Sequence, residues 1–283
     1  MEIEIITDSA SDILQKEAKK LNIHILPLKT IFSDREYLDG VDLSHEDFFK
    51  KLIETREFPK TSQISPFDYE EEFKKHEGKE IIVITLSRKC SGCYQSAKIA
   101  AEDNPHIHII DSENLSIGEQ ILVFEAIKLR DKGLSVDEIV SRLEVIKKDI
   151  CVVALLDTLE YLKKGGRINA AQAIVGTMLS IKPVVGVKDG KIVMLGKARG
   201  SKNGHNMLRK LMADAGGVDW SMPYLAAYTG LSDHLVKKYI DDSKDLYTIP
   251  VEDIPIRTIG STIGTHVGPG CIGVAFYKNK KNS

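Results

Sequence analysis

The first half of this chain alternates short apolar runs with stretches of helical pattern, and that alternation limits its fold more than any other feature. Residues 3–6, 23–28, 81–86 and 107–110 read as strands. Helical pattern occupies 11–21, 94–102, 117–132 and 136–148. Asp8 and Ser9, ahead of the first helix, are cap-type residues. Strands joined through helices become parallel neighbours, so residues 1–150 predict an α/β domain with a mostly parallel sheet covered by helices on both faces.

Residues 29–66 interrupt the alternation as a small excursion. They hold a polar hairpin-like stretch, Phe32-Ser-Asp-Arg-Glu-Tyr-Leu-Asp-Gly40, and a helix signal at 44–55 with a Ser44/Asp47 cap pattern. The stretch 59–66 reads as an exposed loop that returns to the domain edge.

Residues 151–283 change character. Strands are expected at 151–156, 181–187, 191–195, 224–228, 246–250 and 272–277, with helices at 204–213 and 233–242. Asp189-Gly190 is a hairpin turn signal. Hairpins mixed with helices predict an α+β domain with a mixed sheet.

Composition narrows the function classes. The 283 residues suit roughly two domains of about 100–200 residues each. A net charge of -2 leaves no basic excess for nucleic-acid binding, and the basic tail at 278–281 reads as a solvated end. No apolar run approaches the roughly 20 residues of a membrane span. The N-terminus enters a strand pattern with no secretion signal, and four cysteines make no disulfide scaffold. A cytoplasmic location is the expectation.

The chemistry concentrates at Lys89-Cys-Ser-Gly-Cys-Tyr-Gln-Ser-Ala97. A strand precedes this run and a helix follows. Backbone N–H groups and hydroxyls at such a helix start suit an anion. Cys90 and Cys93 also form a C-x-x-C, so thiol-disulfide exchange is the rival reading. Zinc needs about four ligands, and Cys151 and Cys271 stand alone in apolar runs, so no metal is expected. His106 and His108 lie in a strand pattern and read as structural. Gly268-Pro-Gly-Cys-Ile-Gly273 matches a dinucleotide fingerprint in letters only, because it leads into a strand rather than a helix. Thr61-Ser-Gln63 offers hydroxyls beside an amide. The Gly-rich turn expected at 264–270 offers His266, where glycines allow close backbone approach. No nucleophile–base pair or G-x-S-x-G elbow accompanies them, which argues against a stand-alone hydrolase and for a site that holds an anion.

Six motifs then occur in order: Thr7-Asp8-Ser9, Thr61-Ser-Gln-Ile-Ser65, Ser91-Gly-Cys-Tyr-Gln-Ser-Ala97, Asp111-Ser112, Tyr161-Leu-Lys-Lys-Gly-Gly-Arg-Ile168 and Ile263-Gly-Thr-His-Val-Gly-Pro-Gly270. Together they resemble the DegV family of bacterial fatty-acid-binding proteins, over nearly the whole chain. The resemblance implies a non-catalytic, cofactor-free carrier of one long-chain fatty acid such as palmitate, stearate or oleate. It also implies a partner, a separate ATP-dependent fatty acid kinase subunit that phosphorylates the bound carboxylate for phospholipid synthesis, and a transient contact with a membrane surface. On the matching positions, Thr61, Ser91, the Gly92 amide and His266 contact the carboxylate. Ser62, Cys93, Thr265 and Arg167 support them, and Arg199 takes a docking role. Two positions depart from the family pattern. Ile64 replaces a proline, and Cys93 replaces a threonine with a weaker donor.

Overall fold

A computed structural model gives the structure of residues 2–168 and 181–279. Two lysines of the basic tail, Lys280 and Lys281, lie outside the described residues. The chain begins with β1 (Ile3–Asp8), α1 (Gln15–Leu21) and β2 (His24–Leu26). The first helix starts later than its pattern predicts. Ser9–Ser11 form a 3-10 turn capped by Asp8, whose carboxylate accepts the Ala10 N–H at 3.0 Å. Asp12 then adopts φ 58°, a left-handed conformation that no helix can pass through.

The excursion contributes β3 (Lys29–Ile31), β4 (Glu36–Leu38), α2 (His45–Thr55) and β5 (Lys60–Ser62), with the strands in antiparallel order β4-β3-β5. Ser44 caps α2 as its sequence predicts, accepting the Asp47 N–H at 3.1 Å. The stretch expected as an exposed loop is instead partly strand: Thr61 pairs with Thr30 in β5, and Ile64 is buried. Helix α3 (Pro66–Lys74), absent from the sequence reading, follows directly. Pro66 sits in its first turn and Ser65 with Asp68 closes a capping box.

Next come β6 (Glu80–Thr85), α4 (Cys93–Ala101), β7 (Ile107–Asp111), α5 (Ile117–Asp131) and α6 (Val136–Ile146). Strands β2-β1-β6-β7 form a fully parallel sheet. The remaining elements are β8 (Ile150–Leu155), α7 (Glu160–Lys164), β9 (Ile181–Lys188), β10 (Lys191–Arg199), α8 (Gly200–Asp214), β11 (Leu225–Tyr228), α9 (His234–Asp242), β12 (Ile256–Thr258), α10 (Ser261–Val267) and β13 (Ile272–Tyr277). Their strands form a mixed sheet in the order β10-β9-β8-β13-β11-β12, parallel only between β11 and β12. Asp189 and Gly190 take φ 50° and 73° at the β9–β10 hairpin, as a type I′ turn requires.

Two expectations fail in this half. Residues 246–250 form no strand: 3-10 turns occupy Lys244–Leu246 and Val251–Asp253, and the Tyr247 ring packs on Trp220 and Tyr224. The turn expected at 264–270 is largely the helix α10.

Helix α5 packs against both main sheets, touching β1 and β6 on one side and β8, β11 and β13 on the other. A helix buried on nearly every face is the expected consequence, and its buried residues include Glu119 and Gln120. One continuous apolar core includes Ile5 and Ile82 of the first sheet and Ala275 and Tyr277 of the second. Among the described residues no helix is long and apolar enough to cross a membrane.

Candidate ligand-binding site

A cavity of about 370 Å³ lies where the small sheet, the parallel sheet and α10 meet. That volume is within the usual range for small-molecule sites. Thr61, Ser62 and Gln63 reach it from β5, and Cys90, Ser91 and Gly92 from the loop between β6 and α4. Thr262, Ile263, His266 and Val267 face it from α10, at the spacing of one helical face. Leu28, Leu86, Leu115 and Ile192 supply further apolar lining. Arg167 also lines the cavity, is solvent-exposed, and among the described residues is the one of permanent charge in that lining.

Each wall is held from a distance in sequence. The β6–α4 loop is fixed first by Asp8, which accepts the Leu86 N–H at 2.8 Å. The β9–β10 hairpin fixes it again: Ser87 Oγ donates to the Gly190 carbonyl at 2.7 Å and Lys89 Nζ to the Asp189 carbonyl at 2.7 Å. A side chain on Gly190 would meet Ser87 Oγ at 2.5 Å, so this contact needs glycine. Helix α10 is capped by Asp39, just beyond β4, which accepts from Ser261 N at 2.9 Å, Ser261 Oγ at 2.7 Å and Thr262 N at 3.2 Å. Gly264 lets α10 lie close to α2, since a Cβ there would meet the Phe48 ring at 2.6 Å.

The polar end is dense in uncharged donors, with the Arg167 guanidinium beside them. Thr61 Oγ1 and His266 Nε2 hydrogen-bond at 2.9 Å. Burial, with the Arg167 charge adding to it, pushes the His266 pKa down to about 4, so the ring is uncharged near neutral pH. Its Nδ1 is buried with no partner among the described residues, and so is Thr262 Oγ1. A Cβ on Gly165 would lie 2.1 Å from that nitrogen, so the ring needs the bare backbone beside it. Ser91 Oγ accepts the Cys93 N–H at 3.4 Å and contacts Cys93 Sγ at 3.3 Å. Gln63 Nε2 donates to Ser96 Oγ at 2.9 Å, and Gly92 leaves room for the Gln63 amide. Arg167 donates to the carbonyls of Cys90 and Gly165 at 3.2 and 2.6 Å, joining the first-sheet loop to the α7 end.

Of the candidates from sequence, Thr61, Ser62, Ser91, Gly92, Arg167 and His266 meet in this cavity. Cys93 and Thr265 are buried outside its lining, and Arg199 is exposed at the end of β10. Thr262 has no counterpart in the sequence reading. It lies one helical turn before His266, a spacing that carries meaning only once α10 is known to be a helix. Gln63 is visible in sequence only as the amide beside two hydroxyls.

The rival redox chemistry is not supported. Both thiols are free, burial raises the Cys90 pKa, and burial with the nearby Asp8 charge pushes Cys93 up to about 12. Exchange chemistry needs a stabilised thiolate, and these thiols are held protonated.

Comparison with known proteins shows the family and the fold. The sequence model described as "Uncharacterised protein, DegV family" matches residues 2–279. A DegV domain-containing protein of Halalkalibacterium halodurans is 34 % identical over 98 % of this chain and 99 % of its own length. A fatty-acid-binding DegV family protein from Thermus thermophilus superposes with a TM-score of 0.88 at 32 % identity, covering 99 % of this chain and 100 % of its own. A DegV lipid-binding protein from Thermotoga maritima gives 0.86 at 25 % identity, with 98 % of each chain covered. With the family pattern matched from end to end and the fold shared over the same span, this chain belongs to the DegV family.

Proposed function

We propose that this protein binds one long-chain fatty acid, with the carboxylate against Thr61, Ser91, the Gly92 amide and His266. The observation that carries this reading is a single cavity in which neutral donors converge beside an apolar lining. The similar protein from Thermus thermophilus is itself described as binding fatty acid. Each buried methylene stabilises the complex by about 0.8 kcal/mol, so the tail supplies most of the affinity. The head group must still be paired, because a buried carboxylate without donors is costly. In the tautomer protonated at Nε2, His266 donates to Thr61 Oγ1. The Thr61 hydroxyl proton is then free to point at the carboxylate.

Hydroxyl and amide donors hold the anion without locking an oxygen into a tight ion pair. That suits presentation of the carboxylate to a separate ATP-dependent fatty acid kinase subunit. In this reading Arg199, exposed where β10 enters α8, contributes to docking.

Mass spectrometry of denatured protein from a bacterial host should release a fatty acid, and delipidated protein should bind palmitate or oleate. Thr61→Ala combined with Ser91→Ala should weaken that binding at least about tenfold, the loss of two hydrogen bonds to a charged group. No released lipid together with no binding of either fatty acid overturns the proposal. Acyl-phosphate formation on adding the kinase subunit and ATP, lost in Arg199→Glu, tests the partner.

A further inference from the structure

A second cluster of reactive side chains lies at the opposite end of the parallel sheet. Glu4 is near the start of β1, His24 begins β2, and Glu72 and His76 come from the end of α3 and the residues just after it. Glu4, Glu72 and His76 are 4 %, 7 % and 7 % exposed. His24 Nε2 lies 3.2 Å from Glu4 Oε2, and its Nδ1 lies 3.4 Å from Glu72 Oε1. His76 Nε2 lies 3.2 Å from Glu72 Oε1, and its Nδ1 lies 3.9 Å from Glu4 Oε1. The two rings are 4.3 Å apart between centroids.

This arrangement poses a problem in proton accounting. Every ring nitrogen faces a carboxylate oxygen, yet a neutral imidazole has only one N–H. With both rings neutral, two nitrogen lone pairs point at carboxylates. With both rings protonated, all four nitrogens donate to the Glu4 and Glu72 carboxylates, but two cations then stand 4.3 Å apart. A metal dication satisfies the lone pairs with both rings neutral. It takes the lone pair of one nitrogen on each ring, and the other N–H of each ring keeps its carboxylate, the usual outer support of a metal-bound histidine. Ligand atoms of Glu4, His24 and His76 already lie within 4.8 Å of one another.

We propose that Glu4, His24 and His76, with Glu72 as fourth ligand or outer support, form a binding site for a divalent transition-metal ion of the zinc type. Two imidazoles and a carboxylate suit Zn²⁺ and its neighbours, whereas Mg²⁺ and Ca²⁺ prefer all-oxygen sets. Two lysines share the carboxylates and must yield to the ion. Lys75 holds Glu72 at 2.8 Å with a side chain 66 % exposed, and Lys79 contacts Glu2 at 3.0 Å as well as Glu4 at 2.5 Å. Both therefore have an alternative in solvent or in Glu2. A surface groove of about 320 Å³ lined by Phe73, His76 and Lys79 gives the ion a way in. The ion would tie β1 and β2 to the far end of α3, the helix that follows the Thr61–Gln63 segment.

Calorimetric titration of the metal-free chain with Zn²⁺ near pH 7.5, checked by metal analysis after dialysis, tests this. One saturable equivalent should bind, and neither Mg²⁺ nor Ca²⁺ should replace it. His24→Gln and His76→Gln should each weaken it by at least about tenfold. His24 has a side chain 35 % exposed, so its variant keeps the fold more readily and decides the matter if the other does not fold. His106 and His108 flank Glu80 at 3.0 and 3.1 Å and provide the internal control. The double variant His106→Gln/His108→Gln should bind as the parent does. Absence of saturable binding, binding undiminished in His24→Gln, or binding lost in the control variant overturns the proposal.

Discussion

His266 is neutral because it is buried, and that has a signed consequence for stability. Its folded pKa is about 4 against an ordinary value of 6.5. Well above pH 6.5 neither folded nor unfolded chain protonates the ring, and stability is unaffected. As pH falls from there towards 4, the unfolded chain takes up a proton that the folded chain refuses, so the folded state loses ground. The loss should reach about 2 kcal/mol near pH 5. His266→Gln can retain a bond to Thr61 but cannot titrate. Urea unfolding at about pH 7.5 and 5 should therefore show the parent losing that amount relative to the variant. A difference that stays constant with pH would mean that the ring is protonated readily in the fold. In the proposed complex the same neutrality lets His266 donate to Thr61 and leaves the Thr61 hydroxyl proton for the carboxylate.

At the scale of elements, α10 shows why part of the site was hidden in the sequence. Its residues, Ser-Thr-Ile-Gly-Thr-His-Val, combine β-branched side chains with a glycine and are poor helix formers. Its cap is not a neighbour in sequence but Asp39, 222 residues away from Ser261. Asp39→Ala should cost about 2–3 kcal/mol, as a lost cap that also strands buried N–H groups. Hydrogen exchange should quicken first at the amides of Thr262 to Val267. Equal acceleration throughout the molecule would show that α10 has no local dependence on Asp39. The same reasoning explains the other differences. The strand pattern at 246–250 is apolar enough to pair, but Tyr247 is taken up by Trp220 and Tyr224 instead. The first helix is delayed by Asp12, whose carboxylate accepts from Ser116 Oγ at 2.5 Å and Gly260 N at 2.7 Å, contacts no local pattern records. By contrast α3 carried its own signal, Pro66 within a Ser65/Asp68 capping box. The parallel sheet, the Asp189-Gly190 hairpin and the meeting of Thr61, Ser91 and His266 were legible. Their signals are local periodicity, turn chemistry and motifs matched in order.

The cavity belongs to the whole molecule, because the second sheet positions a loop of the first. Gly190, at the tip of the β9–β10 hairpin, both accepts the Ser87 hydroxyl and leaves it room. Ser87 lies at the base of the loop that ends in Ser91 and Gly92. Gly190→Ala should therefore act twice. It forces a side chain into a φ of 73°, costing about 1–2 kcal/mol, and it drives a Cβ to 2.5 Å from Ser87 Oγ. Gly133 separates the two effects. It has a similar φ of 77° and nothing within 4 Å of an added Cβ, so Gly133→Ala carries the backbone strain alone. Both variants should lower the unfolding midpoint, but only Gly190→Ala should weaken palmitate binding, read by calorimetry on delipidated protein. Equal affinities in the two variants would mean that the hairpin supports the fold without setting the position of Ser91. A loss confined to Gly190→Ala would show that the mixed sheet sets the position of the Ser91–Gly92 loop, which the parallel sheet carries.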